Sequence, residues 1–319
     1  MGKASRTKQD SDRRARIAAQ REAERRQSQR RRIYLAGGSI LVVAIVVIAL
    51  VLVKLNGSTP AALTPPTGTA LTNVIDQVTG VPVSTTDTIG TGGVEQGLFA
   101  SADSSDISSV ASNLGSYFAT VNGAPLTANG KPEVLYLGAE YCPFCAAQRW
   151  AMINSLSRFG TFTGLTTTHS ASGDTDPNTP TFTFYGSKYT SSYITFTPVE
   201  QYTNQIDSST NYYKVLQTPT AAQQALVKAW DPDGGAIPFM DIAGKYVQVG
   251  NLAPLSPTLL AGKSWAQVSA AMNDPSSPLG QAIIGNANYM TAAICTAIGN
   301  KDASACTPAI QKLEANLAS

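Results

Sequence analysis

Residues 131–156 read KPEVLYLGAEYCPFCAAQRWAMINSL. Glu133 to Gly138 is a nearly continuous apolar run of strand length, the pattern of a central strand covered on both faces. Beyond Cys142-Pro143-Phe144-Cys145, Ala146, Trp150 and Ile153 recur at spacings of four and three, which predicts a helix through Phe159 with Gly160 ending it. The order is therefore strand, CxxC, helix. Two cysteines at such a junction close and open a disulfide with little backbone movement. A thiolate at a helix N-terminus meets unpaired N–H groups and the positive end of the dipole, which lowers its pKa below the free value of about 8.5. Pro143, lacking an N–H and preset in φ, suits the first turn. Cys142, nearer the open end, is expected to attack, and Cys145, one turn further in, to resolve the mixed disulfide.

A purely structural bond across two residues closes a very short loop, where the entropic gain is smallest. Zinc needs two further ligands, and His169, the only histidine, is flanked by Thr and Ser with no partner at ligand spacing. No metal and no other cofactor is expected.

Downstream, Thr181 to Tyr185 and Tyr193 to Thr197 read as strands around Gly186-Ser187, and Ala221 to Trp230 as a short helix. Ile237 to Val249 reads as a hairpin turning at Ala243-Gly244. Ser264 caps a predicted helix from Trp265 to Met272, Pro278 begins another to about Ile298, and Thr307-Pro308 opens a last one. Cys295 and Cys306 fall at the end of one helix and just before the next. A bond between them is expected as a structural staple; its rival is a second redox pair relaying electrons to Cys142 and Cys145.

The chain has 319 residues with 23 Lys+Arg and 21 Asp+Glu, and these are unevenly placed. Residues 1–32 hold 12 basic and 4 acidic residues, net +8, whereas residues 33–319 are net −6. Between Ile33 and Val53 run 21 residues without a charge, IYLAGGSILVVAIVVIALVLV. As a helix they span about 30 Å, the thickness of a bilayer core. Lys54-Leu55-Asn56-Gly57 follows in place of a small-residue cleavage site, so a retained anchor is expected. The positive-inside rule puts residues 1–32 in the cytoplasm and the rest, with all four cysteines, outside it, where disulfides persist. The net −6 of the exported part argues against a nucleic-acid partner. Residues 54–95, rich in Ser, Thr, Pro and Gly, read as a spacer, though Leu71 to Val83 could dock as a strand. Residues 96–319 form the expected working domain.

The run Val134 to Gly138, Glu140-Tyr141-Cys142-Pro143-Phe144-Cys145 and Ile237-Pro238 opening a hairpin together resemble the thioredoxin superfamily. The resemblance implies an α/β thioredoxin-like fold with an insertion between the CxxC helix and the proline hairpin, a helical C-terminal extension, and one preceding transmembrane helix. It implies a cis Pro238, with Ile237 presenting its main chain to a substrate beside the active-site loop Glu140, Tyr141, Pro143 and Phe144. Pro-Phe is similar to glutaredoxin-type and DsbA-type sites. Basic arm, span, spacer and C-terminal cysteine pair resemble a membrane-anchored thioredoxin-like family of actinobacterial type, catalogued as a domain of unknown function.

Three features depart from that pattern. Tyr136 stands where thioredoxin and DsbA relatives carry a buried carboxylate, so either Glu140 or a water is expected to take the Cys145 proton, or turnover to be slower. Between Cys145 and Pro238 lie 92 residues, with a β-like or irregular insertion over 166–213. Phe144 replaces the DsbA histidine, which makes a weaker oxidant, an isomerase or a reductase more plausible. The expected function is thiol–disulfide exchange with exported cysteine-containing proteins, coupled to a membrane redox partner. The alternative is a non-catalytic envelope scaffold whose contact surface is the Thr/Tyr-rich insertion.

Overall fold

A computed structural model describes residues 63–92, 119–231, 235–250 and 255–317, all within one compact unit spanning residues 60–319. The basic arm, the expected span at 33–53 and the first part of the spacer lie outside the described residues. Among the described residues no helix is long and apolar enough to cross a membrane.

Helices α1 (Gly68–Thr79) and α2 (Val83–Ile89) precede strands β1 (Ala119–Thr120), β2 (Thr127–Ala128) and β3 (Lys131–Gly138), then helix α3 (Pro143–Ser157). Seven strands follow: β4 (Gly160–Thr163), β5 (Thr166–His169), β6 (Pro180–Thr183), β7 (Lys188–Ser191), β8 (Thr195–Glu200), β9 (Tyr202–Asp207) and β10 (Tyr212–Val215). Helix α4 (Ala221–Trp230), strands β11 (Phe239–Ile242) and β12 (Tyr246–Val249), a 3-10 turn at Pro257–Leu260, and helices α5 (Trp265–Met272), α6 (Pro278–Ile298) and α7 (Pro308–Leu317) complete the mixed α/β fold.

Strand β3 is central, as its apolar run predicts. It pairs in parallel with β8, antiparallel with β11, and at Lys131-Pro132 with β2; β12 and then β1 extend the sheet beyond β11. Pleating divides the side chains by face. Tyr136 and its cross-strand neighbour Met240 join the core beneath α3, and Gln248 of β12 meets Gln148 of α3 at 3.1 Å. Leu137, Phe239 and Val249 face the other way, under Val227 and Trp230 of α4. Helix α6 runs beside α3 in the same sense, with Asn286 bonded to Gln148 at 3.4 Å and Thr291 to Ser155 at 3.0 Å.

The capping signals at the C-terminal end act as expected. Ser264 and Gln267 form a capping box on α5, and Ser277 and Thr307 cap α6 and α7 through the N–H groups of Gly280 and Ile310. The 243–244 turn forms with both φ angles positive, and Asp241 Oδ1 accepts from Gly244 N at 2.7 Å. Cys295 and Cys306 are joined with their Cα atoms 5.6 Å apart, tying the end of α6 to the loop before α7.

Two expectations need correction. The second half of the spacer is neither irregular nor a strand: α1 buries Val74 and Val78, one turn apart, and Asn154 of α3 donates to Val78 O at 2.9 Å. That i, i+4 spacing is present in the sequence but diluted by its Thr-rich surroundings. Gly160 does not end α3, which stops at Ser157; it starts β4, where a Cβ would stand 2.3 Å from Thr190 O. The strands expected at Thr181 to Tyr185 and Tyr193 to Thr197 form as β6 and β8, joined to β5 and β3, with β7 between them paired to β4.

Candidate functional site

Helix α3 starts at the CxxC. Cys142 is its N-cap with extended backbone, Pro143 takes the first helical position, and Cys145 N donates to Cys142 Sγ at 3.3 Å. Both cysteines are free thiols. Cys142 is 5% exposed and Cys145 completely buried. The peptide bond between Ile237 and Pro238 is cis, and the Cys142 thiol donates to Ile237 O at 3.9 Å. Residues 95 apart in sequence meet because β11 pairs with β3, which places the start of the hairpin beside the end of β3.

The two thiols are electrostatically unequal. The hydrogen bond from the Cys145 side chain, outweighing burial and helped by the Cys145 N–H and the Arg149 charge, holds Cys142 below the usual thiol range. Burial, reinforced by sharing with Cys142, pushes Cys145 well above it. Deprotonation thus falls on the more accessible sulfur, the one expected to attack.

Beneath the pair lies a group the sequence reading passed over. Arg149, one turn beyond Cys145, makes a bidentate pair with Glu200 at the end of β8: Nε to Oε1 at 2.8 Å and Nη2 to Oε2 at 2.7 Å, with neither side chain exposed. Nη2 also donates to Ala139 O at 2.8 Å, and Phe184 N donates to Glu200 Oε1 at 3.3 Å. Arg149 Nη1 has no hydrogen-bond partner among the described residues. An arginine in an otherwise apolar helix face was the available signal, since such a charge is buried only with a counter-ion.

Tyr136 is buried, and its hydroxyl has no hydrogen-bond partner among the described residues. Burial raises its phenol well above the usual range, more than Arg149 draws it down. Glu140, expected as a proton acceptor, is hydrogen-bonded to Thr183, and burial raises its pKa. Phe144 lies half-buried in the first turn of α3. Tyr141 stacks on Tyr213 with centroids 4.1 Å apart, and its hydroxyl lies 3.2 Å from that of Tyr212. The β9–β10 hairpin thereby surrounds Tyr141, the residue before Cys142, with aromatic rings.

On the opposite face of the sheet a cavity of about 330 Å³ opens against Ile237, lined by Leu137, Val227, Ala236 and Phe239 with Gln224 and Lys228 at its polar side. His169 is half-buried on β5 with Nδ1 2.8 Å from Ser170 O. Among the described residues no cluster of His, Cys, Asp or Glu could hold a metal. Cys295–Cys306 lies away from the CxxC: Thr291 meets Ser155, about 20 Å along α3 from Cys142, and Cys295 is a further turn on.

No curated protein and no solved structure matches the chain. A family model does match, over residues 117–296, a span that takes in the CxxC, the buried Arg149–Glu200 pair and the cis proline but ends before Cys306. The chain belongs to that family, described as a domain of unknown function, DUF929.

Proposed function

We propose that the chain is a membrane-tethered, extracytoplasmic thiol–disulfide oxidoreductase of thioredoxin-like fold that acts on exported proteins. The observation carrying the reading is the meeting of Cys142 Sγ with Ile237 O, 3.9 Å apart, at a helix N-cap beside a cis proline. The strand order β8-β3-β11-β12, with the first pair parallel and the others antiparallel, supports the thioredoxin-like description. The apolar segment 33–53 and the +8 and −6 charge halves support the tether and its orientation.

In the reducing direction the Cys142 thiolate attacks a substrate disulfide and one substrate sulfur leaves as a thiolate. Cys145 then attacks Cys142 Sγ, loses its proton, and releases the second substrate sulfur, so two electrons pass to the substrate. The oxidising direction is the same sequence reversed. A membrane oxidase or thiol reductant restores the starting state, and the chain itself needs no cofactor. The cavity beside Ile237 suits an apolar side chain of the bound substrate segment.

The test is a Cys145→Ala variant of the full chain, which should trap mixed disulfides with exported proteins through Cys142. No trapped partner, together with no insulin reduction and no reactivation of scrambled ribonuclease by the unmodified chain, sinks the proposal. The reduction potential of the Cys142/Cys145 pair against glutathione then assigns direction: near −120 mV for an oxidant, near −270 mV for a reductant. The scaffold alternative draws on the β9–β10 hairpin, which exposes Ile206, Tyr212 and Val215. A Cys142 thiol titrating near 8.5 would favour it.

A further inference from the structure

Three buried side chains converge on the Gly138-Ala139 segment. The Tyr136 hydroxyl lies against Gly138, where a Cβ would stand 2.1 Å from it, so residue 138 is glycine to admit the phenol. Arg149 Nη2 is fixed on Ala139 O at 2.8 Å, and the Cys145 sulfur interacts with the Ala139 backbone. Arg149 Cζ is 6.0 Å from the centre of the Tyr136 ring. Two polar groups here are unspent: Tyr136 Oη and Arg149 Nη1 are both buried without a hydrogen-bond partner among the described residues. An orphaned buried donor costs stability, more so on a charged group. Both can donate and, with the phenol neutral, neither is a base.

We infer that Tyr136 Oη and Arg149 Nη1 are a donor pair for the Cys145 sulfur, engaged when that sulfur becomes anionic. The inference rests on the exchange chemistry proposed above. In the resolving step Cys145 loses its proton to the departing substrate thiolate, its sulfur bonds to Cys142 Sγ, and the Cys142–substrate bond breaks. Where the superfamily pattern has a carboxylate to accept the proton, this chain lowers the same barrier by stabilising the thiolate with hydrogen bonds. Glu200 holds Arg149 in place and is a positioning residue. Cys142, Tyr141 and Glu140, on the loop and first turn above it, are further ionisable groups that act at this point.

The test uses the full chain and oxidised glutathione as the disulfide probe. Acid-quenched mass spectrometry follows formation and decay of the Cys142–glutathione adduct across pH. In Tyr136→Phe the adduct forms at the normal rate but decays roughly tenfold more slowly, the loss of a hydrogen bond to a charged sulfur, and its decay profile moves to higher pH. The same variant melts at the same or a higher temperature, since an orphaned hydroxyl has been removed, so a folding defect does not explain the slowing. Arg149→Met combined with Glu200→Met, which leaves no unpaired buried charge, slows adduct decay in the same way. Adduct decay in Tyr136→Phe with the wild-type rate and pH profile overturns this inference alone. An unmodified chain that forms no adduct at any pH overturns the exchange reading and the inference with it.

Discussion

Arg149 Nη2 and Glu200 Oε2 lie 2.7 Å apart with both side chains fully buried, directly below the CxxC. Glu200 Oε1 takes a second bond from Arg149 Nε and a third from Phe184 N, so the carboxylate's desolvation is largely offset. Burial works against the Arg149 charge, yet Glu200 and its neighbours hold the guanidinium above its usual pKa.

Removing one member of this pair strands the other. Glu200→Ala is expected to destabilise the fold by about 3–5 kcal/mol, and the double exchange to methionine by far less. Denaturant unfolding of the three chains checks this; equal losses for the single and double variants would count against a coupled buried pair.

Cys142 and Cys145 should differ in reactivity with the same reagent. Iodoacetamide at neutral pH is expected to modify Cys142 with a midpoint below the free thiol's, and to leave buried Cys145 untouched until the chain unfolds. Peptide mapping after timed quenching separates the two. Equal labelling of both would contradict the electrostatic inequality.

The Cys295–Cys306 bond closes a short loop between α6 and α7, well away from the CxxC. Replacing both cysteines by serine should cost about 2–3 kcal/mol in stability. Glutathione exchange at Cys142 should be unchanged, and a slowed exchange rate in the double-serine variant would revive the relay.

Asp241 carries a pH signature. It is buried in β11, Oδ1 accepts from Gly244 N, Oδ2 has no hydrogen-bond partner among the described residues, and burial, with the nearby Glu133 charge, raises its pKa from 3.8 to about 6. A raised carboxyl pKa means the native state keeps a proton that the unfolded state has released. Stability from this group is therefore full below about pH 4, falls as pH rises to about 6, and is level above. The shift corresponds to about 3 kcal/mol, so Asp241→Asn should flatten that fall and gain up to this amount at neutral pH. Melting temperatures of both chains between pH 4 and 7 test it.

Much of the site is local and was therefore readable along the chain. Strand β3, the CxxC at a helix start and the hairpin turn at Ala243-Gly244 follow from runs, spacings and caps a few residues long. The helix-start signals at Ser264, Pro278 and Thr307 are equally local. The composition of residues 54–95 misled, because Thr and Gly masked the one apolar stripe that docks α1.

The sequence by itself determined which two thiols stand at a helix N-terminus, because periodicity and capping act over single turns. Only the tertiary structure decided what surrounds them. Glu200 reaches Arg149 because β8 pairs with β3 in parallel, Ile237 reaches Cys142 because β11 pairs with it antiparallel, and Tyr136 fills the space that Gly138 leaves open. Those meetings depend on strand register across separations of 51 and 95 residues, which no short-range pattern encodes.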